Sequence, residues 1–392
     1  MTASTPSQRT LTFCLAGGGS GGHVTPALAI AESLRSQTPM CEVQLAVSER
    51  AIDATILSDT PLPWTPLPAR GLRKSPMGIA AFLRGTLRAK ARARRLLRDA
   101  NVDAVGLLGG YVAAPVMMAA HAEGIPTLML NLDAVPGRAN RWMASRATAL
   151  ATAIETVRPL ATTTRNCQVL DGPPIRANAQ PHEGVSKADH RRLLDLDPDT
   201  RLLLVTGASQ GAGTINDLME HLTTTAPGLL DNWQVLHLAG GGNGEDLKTA
   251  YKRAGIKARV EPFRHAMGVA WGAADLVIAR AGASTVGEAR CAGVPAVYLP
   301  YPWHTDGHQW CNAQPSVDAG IACSIDDGIR PSTTWNAFQQ AIEPLLQGSD
   351  LQAWANRGEQ YKGLHGGPAA ARMLRELALG RNDLAGASPD AG

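Results

Sequence analysis

The chain has 392 residues, longer than a single core usually reaches, so two domains of roughly 150 to 200 residues are expected. Apolar residues make up 44% and aromatic residues 4%, with 40 glycines, a composition that suits α/β layers joined by many tight strand-to-helix turns. A formal net charge of +3 is too small to imply a nucleic-acid partner, no run approaches the ~18 apolar residues of a membrane span, and the opening MTASTPSQRT lacks the apolar core of a secretion signal.

The cysteines at 14, 41, 167, 291, 311 and 323 are scattered without a CxxC pair, and several sit in apolar runs. Reduced thiols in a cytosolic protein fit this better than a disulfide framework. A soluble protein, or one resting on a membrane surface, is expected.

Leu11 to Leu15 reads as a short buried strand followed directly by Gly17-Gly-Gly-Ser-Gly-Gly-His23. Thr25-Pro26 then supplies an N-cap and a first-turn proline, with Ala27, Ile30, Ala31 and Leu34 on one helical face. A glycine-rich turn between strand and helix is the design that cradles phosphate, although structural turns use glycine too. His23 is either a functional group of that turn or a side chain packed beneath it.

Val43, Leu45 and Val47 alternate as a second strand. The stretch from Arg70 to Arg98 is the most charge-biased of the chain: Ile79, Phe82 and Leu83 lie at helical spacing, and Arg84, Arg88, Lys90, Arg92, Arg94, Arg95 and Arg98 crowd the positions after them. Such a helix either lies on an anionic membrane or presents a solvated face. Val102 to Leu108 is a strand ending in Gly109-Gly110-Tyr111, with a helix from about Ala113 to Glu123. Thr127 to Leu130 is the next strand, and Asn131, Asp133 and Gly137 line its end.

The text changes from Asp171 to Arg201, which is rich in proline and charge, and the domain junction is placed here. The series Asp195, Asp197, Asp199 resembles an acidic metal motif, but its place before a strand favours a surface loop. Leu202 to Thr206 then runs into Gly207-Ala-Ser209-Gln-Gly211-Ala-Gly213 and a helix opened by Ile215 and Leu218. The first domain's opening unit is written again. Two such halves imply two Rossmann-like, doubly wound parallel-sheet domains facing a cleft.

Further strands are read at Gln234 to Leu238 and Ala258 to Val260. Leu276 to Ala279 then stops at Ala281-Gly282-Ala283-Ser284-Thr285 and passes into a helix, an anion site in outline. Thr285 and Glu288 also fit a capping box in which Glu288 would meet no ligand. Ala296 to Leu299 ends in Pro300-Tyr301-Pro302 and delivers His304, Asp306, His308 and Gln309. No second cluster of metal-ligand spacing accompanies these, so zinc is not expected. Thr333 to Leu346 and a helix near Ala369 to Leu379 close the fold, and the tail from Gly380 is polar.

In combination the motifs GGSGGHVTPALA from Gly18, GLR at 71 to 73, GGYVAAP at 109 to 115, AVPGRANRW at 134 to 142, GASQGA at 207 to 212, RAGASTVGEARCAGVPA at 280 to 296 and HTDGHQWCNA at 304 to 313 resemble the MurG family of glycosyltransferases. The resemblance implies a GT-B fold and transfer of N-acetylglucosamine from UDP-GlcNAc to lipid I, the lipid-linked muramyl-peptide acceptor of peptidoglycan synthesis. It implies an acceptor domain over 11–170, a UDP-sugar domain over 171–365 and a C-terminal helix over 366–379; the segments 1–10 and 380–392, the latter from its polar composition, are expected to be disordered. Ser209 and the amides after it would hold the diphosphate. Ala283, Ser284, Thr285, Val286, Gly287 and Glu288 would form the donor loop, with Glu288 accepting from ribose hydroxyls. Gln309 would contact the transferred sugar, Arg176 would sit by the nucleotide, and Arg264 would join the substrate-binding set. Ser20, Gly21 and Gly22 would face donor and acceptor.

His23 is the family residue expected to assist attack by the acceptor hydroxyl, with Asp133 orienting it or competing for the role. No cofactor and no metal are implied. The basic segment 73–98 falls where the family has its membrane-facing patch, so the resemblance implies a peripheral protein on the cytoplasmic face of the cell membrane. Three departures stand out: Leu130-Asn131-Leu132-Asp133 replaces the family's His-Glu-Gln-Asn, His308 stands where the family has glutamine, and Pro173 replaces an asparagine. A transferase with a different glycolipid or metabolite acceptor, a two-domain sugar-nucleotide epimerase, or a non-catalytic UDP-sugar-binding protein are the rival readings.

Overall fold

A computed structural model describes residues 9–380 apart from Ser20, Asp59, residues 73–74, 161–166 and 208–211, Asn243, residues 304–305 and Ser349. The chain divides into two compact units, one of residues 1–176 and 365–392 and the other of residues 177–364. Their limits lie at Arg176 and His365, beside the sequence-placed junctions at 171 and 366.

The first unit runs β1 (Leu11–Ala16), α1 (Gly21–Gln37), β2 (Cys41–Ser48), α2 (Ala51–Leu57), β3 (Trp64–Leu67), α3 (Pro76–Asp99), β4 (Ala104–Leu107), α4 (Gly110–Ala122), β5 (Thr127–Asn131), α5 (Arg138–Ala144), β6 (Ala149–Thr152) and β7 (Cys167–Val169). The strands form one parallel sheet in the order β3-β2-β1-β4-β5-β6-β7. Helices cover both faces of such a sheet, so its strands read as unbroken apolar runs; β1 is buried at every position. The order reverses direction at β1 and β4. The loops that leave the carboxyl ends of β1, β4 and β5 therefore emerge side by side, where open α/β sheets bind ligands.

The second unit repeats the plan with α6 (Lys187–Leu193), β8 (Arg201–Thr206), α7 (Gly213–Thr225), β9 (Trp233–Leu238), α8 (Gly244–Arg253), β10 (Lys257–Glu261), α9 (Gly268–Ala273), β11 (Leu276–Ala279), α10 (Ala283–Cys291), β12 (Ala296–Tyr298), α11 (His308–Asp318), β13 (Ala322–Ser324), α12 (Pro331–Gln347) and α13 (Asp350–Gly358). Its parallel sheet has the order β10-β9-β8-β11-β12-β13. In register, Thr206 lies beside Ala279 and Ala279 beside Tyr298, so the loops after β8, β11 and β12 share one edge.

The last helix, α14 (Gly367–Ala378), belongs to the first unit rather than standing apart. Ala370, Ala371, Met373, Leu374 and Leu377 are buried, and the Gln37 amide donates to the Pro368 carbonyl at 3.1 Å. His365 Nδ1 faces the N–H groups of Ile175 and Gly367, both at 3.3 Å, and so fastens the returning chain to the segment that leaves the unit. The terminal segments expected to be disordered lie outside the described residues, apart from Arg9, Thr10 and Gly380; Arg9 pairs with Asp103.

Two helix starts differ from expectation. Helix α1 begins at Gly21 and carries Pro26 within it, so Thr25-Pro26 is not its N-terminus. Helix α4 begins at Gly110 rather than near Ala113 and carries Pro115 within it. In each helix proline occupies the sixth position, in the second turn, where its missing N–H deletes the hydrogen bond to the carbonyl of the second residue.

Candidate active site

In the first unit the glycine loop after β1 is fastened from below. Gly19 donates its N–H to Asp53 Oδ2 at 2.8 Å, and that oxygen also accepts from the Ser48 N–H at 3.1 Å and the Ser48 hydroxyl at 2.6 Å. Asp53 is fully buried, and among the described residues its second oxygen has no hydrogen-bond partner. Arg50 donates to the Gly19 carbonyl at 2.8 Å while its guanidinium lies 5.6 Å from the centre of the Tyr111 ring. Gly19 has a φ of +91°, and a Cβ there would meet Tyr111 Cε1 at 2.7 Å, so no other residue fits. Ser20 lies outside the described residues; Gly21 and Gly22 open α1, with Gly22 exposed.

His23 sits in the first turn of α1, half-buried, with its ring against the turn after β4. A Cβ on Gly109 would come to 3.2 Å from His23 Nε2, and one on Gly110 to 3.6 Å from Nδ1; these two glycines leave the space the imidazole fills. Burial lowers the His23 pKa below its usual 6.5, while the charges of Asp133 and, less strongly, Asp53 pull it back up. The ring is therefore neutral at pH 7, the state a general base requires.

Asp133 is brought into electrostatic range of His23, as the sequence left open. Its loop is held from both sides. The Asn131 amide donates to the Asp133 carbonyl at 2.6 Å and to the Thr152 hydroxyl at 3.2 Å, and the Asn140 amide donates to Asn131 Oδ1 at 3.0 Å. Asn131 stands at a departure from the family pattern and serves as the bolt between β5, β6 and α5.

In the second unit α10 starts at Ala283 with Gly282 as its N-cap and no side-chain cap. The amides of Ala283, Ser284 and Thr285 thus head a helix whose first N–H groups lie beyond the reach of its own carbonyls, an arrangement that can hold an anion. The capping-box alternative fails. Thr285 lies inside the helix, and Glu288 Oε2 accepts from the indole Nε1 of Trp271 at 2.9 Å instead. Burial pushes the Glu288 carboxyl up to about 7, against the lowering effect of that indole bond. Val286 and Gly287 are buried under the turn.

Arg280, which the sequence reading did not single out, joins the loops of this edge. It is 6% exposed and donates to the Leu299 carbonyl at 2.8 Å, to Asp327 Oδ2 at 2.7 Å and to the Thr214 hydroxyl at 2.5 Å. The ends of β11 and β12 and the first turn of α7 are tied by one guanidinium. Gln309 accepts from the Tyr301 N–H through its Oε1 at 2.9 Å, and its amide hydrogens take no partner among the described residues. Asn312, fully buried, anchors α11 to the Ala281 carbonyl at 3.4 Å.

Two expected binding residues are engaged within the protein. Arg264 pairs with Glu261 at 2.5 Å, an acid it shares with Arg259 at 2.6 Å, and Arg176 pairs with Glu32 of α1 at 3.0 Å. Ser209 and its loop lie outside the described residues. The Asp195, Asp197, Asp199 series is a surface turn in which Asp197 accepts from the Asp199 N–H at 3.0 Å. Among the described residues no group of three His, Cys, Asp or Glu side chains is placed to hold a metal ion.

The glycosyltransferase family 28 N-terminal domain matches residues 13–152, and the family's C-terminal domain matches residues 202–354. The UDP-N-acetylglucosamine--N-acetylmuramyl-(pentapeptide) pyrophosphoryl-undecaprenol N-acetylglucosamine transferase of Streptomyces coelicolor is 33% identical over 338 residues, covering 85% of this chain and 88% of its own. The enzyme of the same name from a Nocardioides species is 34% identical over 373 residues, covering 93% and 98%. The crystal structure of Acinetobacter baumannii MurG aligns with a TM-score of 0.70 and 27% identity, covering 94% of this chain and all of that one. A UDP complex of Staphylococcus aureus MnaA aligns with a TM-score of 0.61 at 12% identity, a likeness of fold alone. With paired parallel sheets, glycine loops at their carboxyl edges and this identity along most of its length, the chain belongs to the MurG family of glycosyltransferases.

Proposed function

We propose that the protein moves N-acetylglucosamine from UDP-GlcNAc to lipid I, giving lipid II in peptidoglycan synthesis, with the second unit holding the nucleotide sugar and the first the acceptor. The observation that carries this reading is the 33% identity, across 85% of the chain, with an enzyme whose name states that reaction.

The acceptor hydroxyl oxygen attacks the anomeric carbon of the sugar, its proton passes to the neutral imidazole of His23, and the bond from that carbon to the UDP oxygen breaks. UDP departs with the bonding electrons. One in-line displacement inverts the anomeric centre. Negative charge grows on the diphosphate as the bond lengthens, and the open amides of Ala283, Ser284 and Thr285 are fixed in advance to receive it. Donors of this kind cost about 3 to 4 kcal/mol of barrier when removed. The Glu288 carboxylate accepts from the ribose hydroxyls, and the free amide hydrogens of Gln309 meet the sugar.

Helix α3 supports a place at the membrane surface. Its packed face is the small series Gly85, Ala89 and Ala93 followed by Leu97, whereas Met77, Ile79, Leu83 and Leu87 are exposed beside Arg84, Arg88, Arg92 and Arg95. Arg94 and Arg98 are taken by Glu123, the latter at 2.6 Å. Basic residues near an anionic surface gain about 1 kcal/mol each, and the exposed apolar side chains enter the interface. No described helix is long and apolar enough to cross a membrane. The lipid-linked acceptor in the relatives' name supports a peripheral place at the cell membrane, and the cytoplasmic face is carried over from the family resemblance.

The carboxylate at Asp133 favours one alternative, an acceptor that differs from lipid I in the groups presented to the β5 loop. A panel of radiolabelled transfers tests it: short-chain lipid I, the same lipid diphosphate sugar without peptide, and soluble sugars. Preference for lipid I supports the main reading; equal or better transfer to another acceptor replaces it.

A further inference from the structure

Trp271 is one of the largest fully buried side chains, at 1% exposure, and its indole N–H is spent on a single carboxylate oxygen, Glu288 Oε2 at 2.9 Å. Glu288 Oε1 takes no hydrogen bond among the described residues. A half-buried carboxylate with one oxygen fixed presents the other in a set direction.

The element carrying the indole is clamped on several sides. A Cβ on Gly272 would meet the His190 ring at 2.5 Å, so α9 lies directly against α6, and a Cβ on Gly268 would fall 2.9 Å from the Gln180 carbonyl carbon. His190 is itself set by the Ser186 carbonyl at 2.9 Å and the His182 N–H at 3.2 Å. Just past α9, Asp275 accepts from Arg191 at 2.5 Å, Lys187 at 3.0 Å and the Leu202 N–H at 2.8 Å. The indole is therefore held in a packed core on a helix that is itself fixed.

We propose that Trp271 is a positioning residue for nucleotide binding: its N–H fixes Glu288 so that the free carboxylate oxygen meets the ribose hydroxyls of the uridine nucleotide. This rests on the assignment of Glu288 to the ribose. Removing the indole hydrogen bond while keeping an aromatic ring in the core corresponds to roughly a tenfold loss of affinity.

The test compares binding of UDP and of its 2′,3′-dideoxy analogue to the full-length protein, Trp271→Phe and Glu288→Gln, alongside steady-state kinetics. Trp271→Phe is expected to weaken UDP about tenfold, raise KM for UDP-GlcNAc with little change in kcat, and leave the dideoxy analogue unaffected. The double variant should be no worse than Glu288→Gln alone. Equal weakening of both ligands would make Trp271 a packing residue and overturn the proposal. Preserved discrimination in Trp271→Phe together with its loss in Glu288→Gln would overturn the role of Trp271 but keep that of Glu288. Preserved discrimination in Glu288→Gln would remove the ribose assignment and the proposal with it. Should the Phe variant not fold, the indole ¹⁵N–H resonance of the wild-type protein that is displaced in Glu288→Gln serves instead. It is expected to move with UDP and not with the analogue, and a resonance that answers both alike overturns the proposal.

Discussion

Gly19 donates its backbone N–H to the buried carboxylate of Asp53 at 2.8 Å, across 34 residues of sequence. The same carboxylate oxygen takes the amide and hydroxyl of Ser48, so one side chain at the start of α2 sets the glycine loop after β1.

Asp53→Asn keeps the shape and removes the charge. Hydrogen bonds to a charged acceptor contribute about 1.5 to 3 kcal/mol each, and the loss is expected to lower unfolding free energy by about 2 kcal/mol or more in urea titrations. Transfer should slow as well, because the loop is no longer held. Unchanged stability and rate would show that the loop is fixed by other contacts.

His23→Ala is expected to reduce kcat about 100-fold to 10,000-fold at saturating donor. Because the imidazole pKa is lowered in the folded protein, the acid limb of kcat/KM should lie below pH 6.5. Asp133 is the larger of two charges that raise that pKa, so Asp133→Asn should move the limb to still lower pH. A limb that stays in place, or undiminished turnover in His23→Ala, would take His23 out of the proton transfer.

His237 ties α7 to α8 in the second unit: its Nδ1 faces the Tyr251 hydroxyl and its Nε2 the Asn216 carboxamide oxygen, both at 3.0 Å. Burial pushes its pKa down to about 3 from the usual 6.5. The unfolded chain binds the proton first, so this contribution is complete above about pH 6.5 and is lost as pH falls toward 3, by at most about 1.4 kcal/mol per pH unit. Urea melts between pH 4 and 7 should show the slope, and His237→Gln should flatten it.

Membrane contact through α3 makes its own division among the arginines. Leu83→Asp with Leu87→Asp, and separately Arg84→Glu with Arg88→Glu, should release the protein from anionic vesicles in sedimentation assays, by about fivefold or more per basic residue. Arg94→Ala and Arg98→Ala should change sedimentation little, because Glu123 already occupies both side chains. Equal release by all four arginine changes would point to net charge rather than a defined face.

Much of the fold was legible because parallel strands buried on both faces leave unbroken apolar runs, as at β11 (Leu276–Ala279), which coincides with its sequence-placed limits. Helix starts were less legible. Pro26 looks like a first-turn proline, yet α1 begins five residues before it at Gly21, and α4 begins at Gly110 rather than near Ala113. The glycine turns, His23 and the α10 loop stood out from local pattern alone. Asp53, Trp271 and Arg280 did not, since what they do depends on partners brought near only by the fold: Gly19, Glu288, Asp327 and Thr214. No local periodicity records such pairs.

Turnover of radiolabelled UDP-GlcNAc with a short-chain lipid I analogue tests the transfer most directly, by counting UDP released against label recovered in the lipid. Equal amounts of UDP and labelled lipid are predicted, with no release when the acceptor is left out. Release of UDP with free N-acetylmannosamine in place of a labelled lipid, or UDP-GlcNAc bound without turnover of any lipid-linked acceptor, would contradict it.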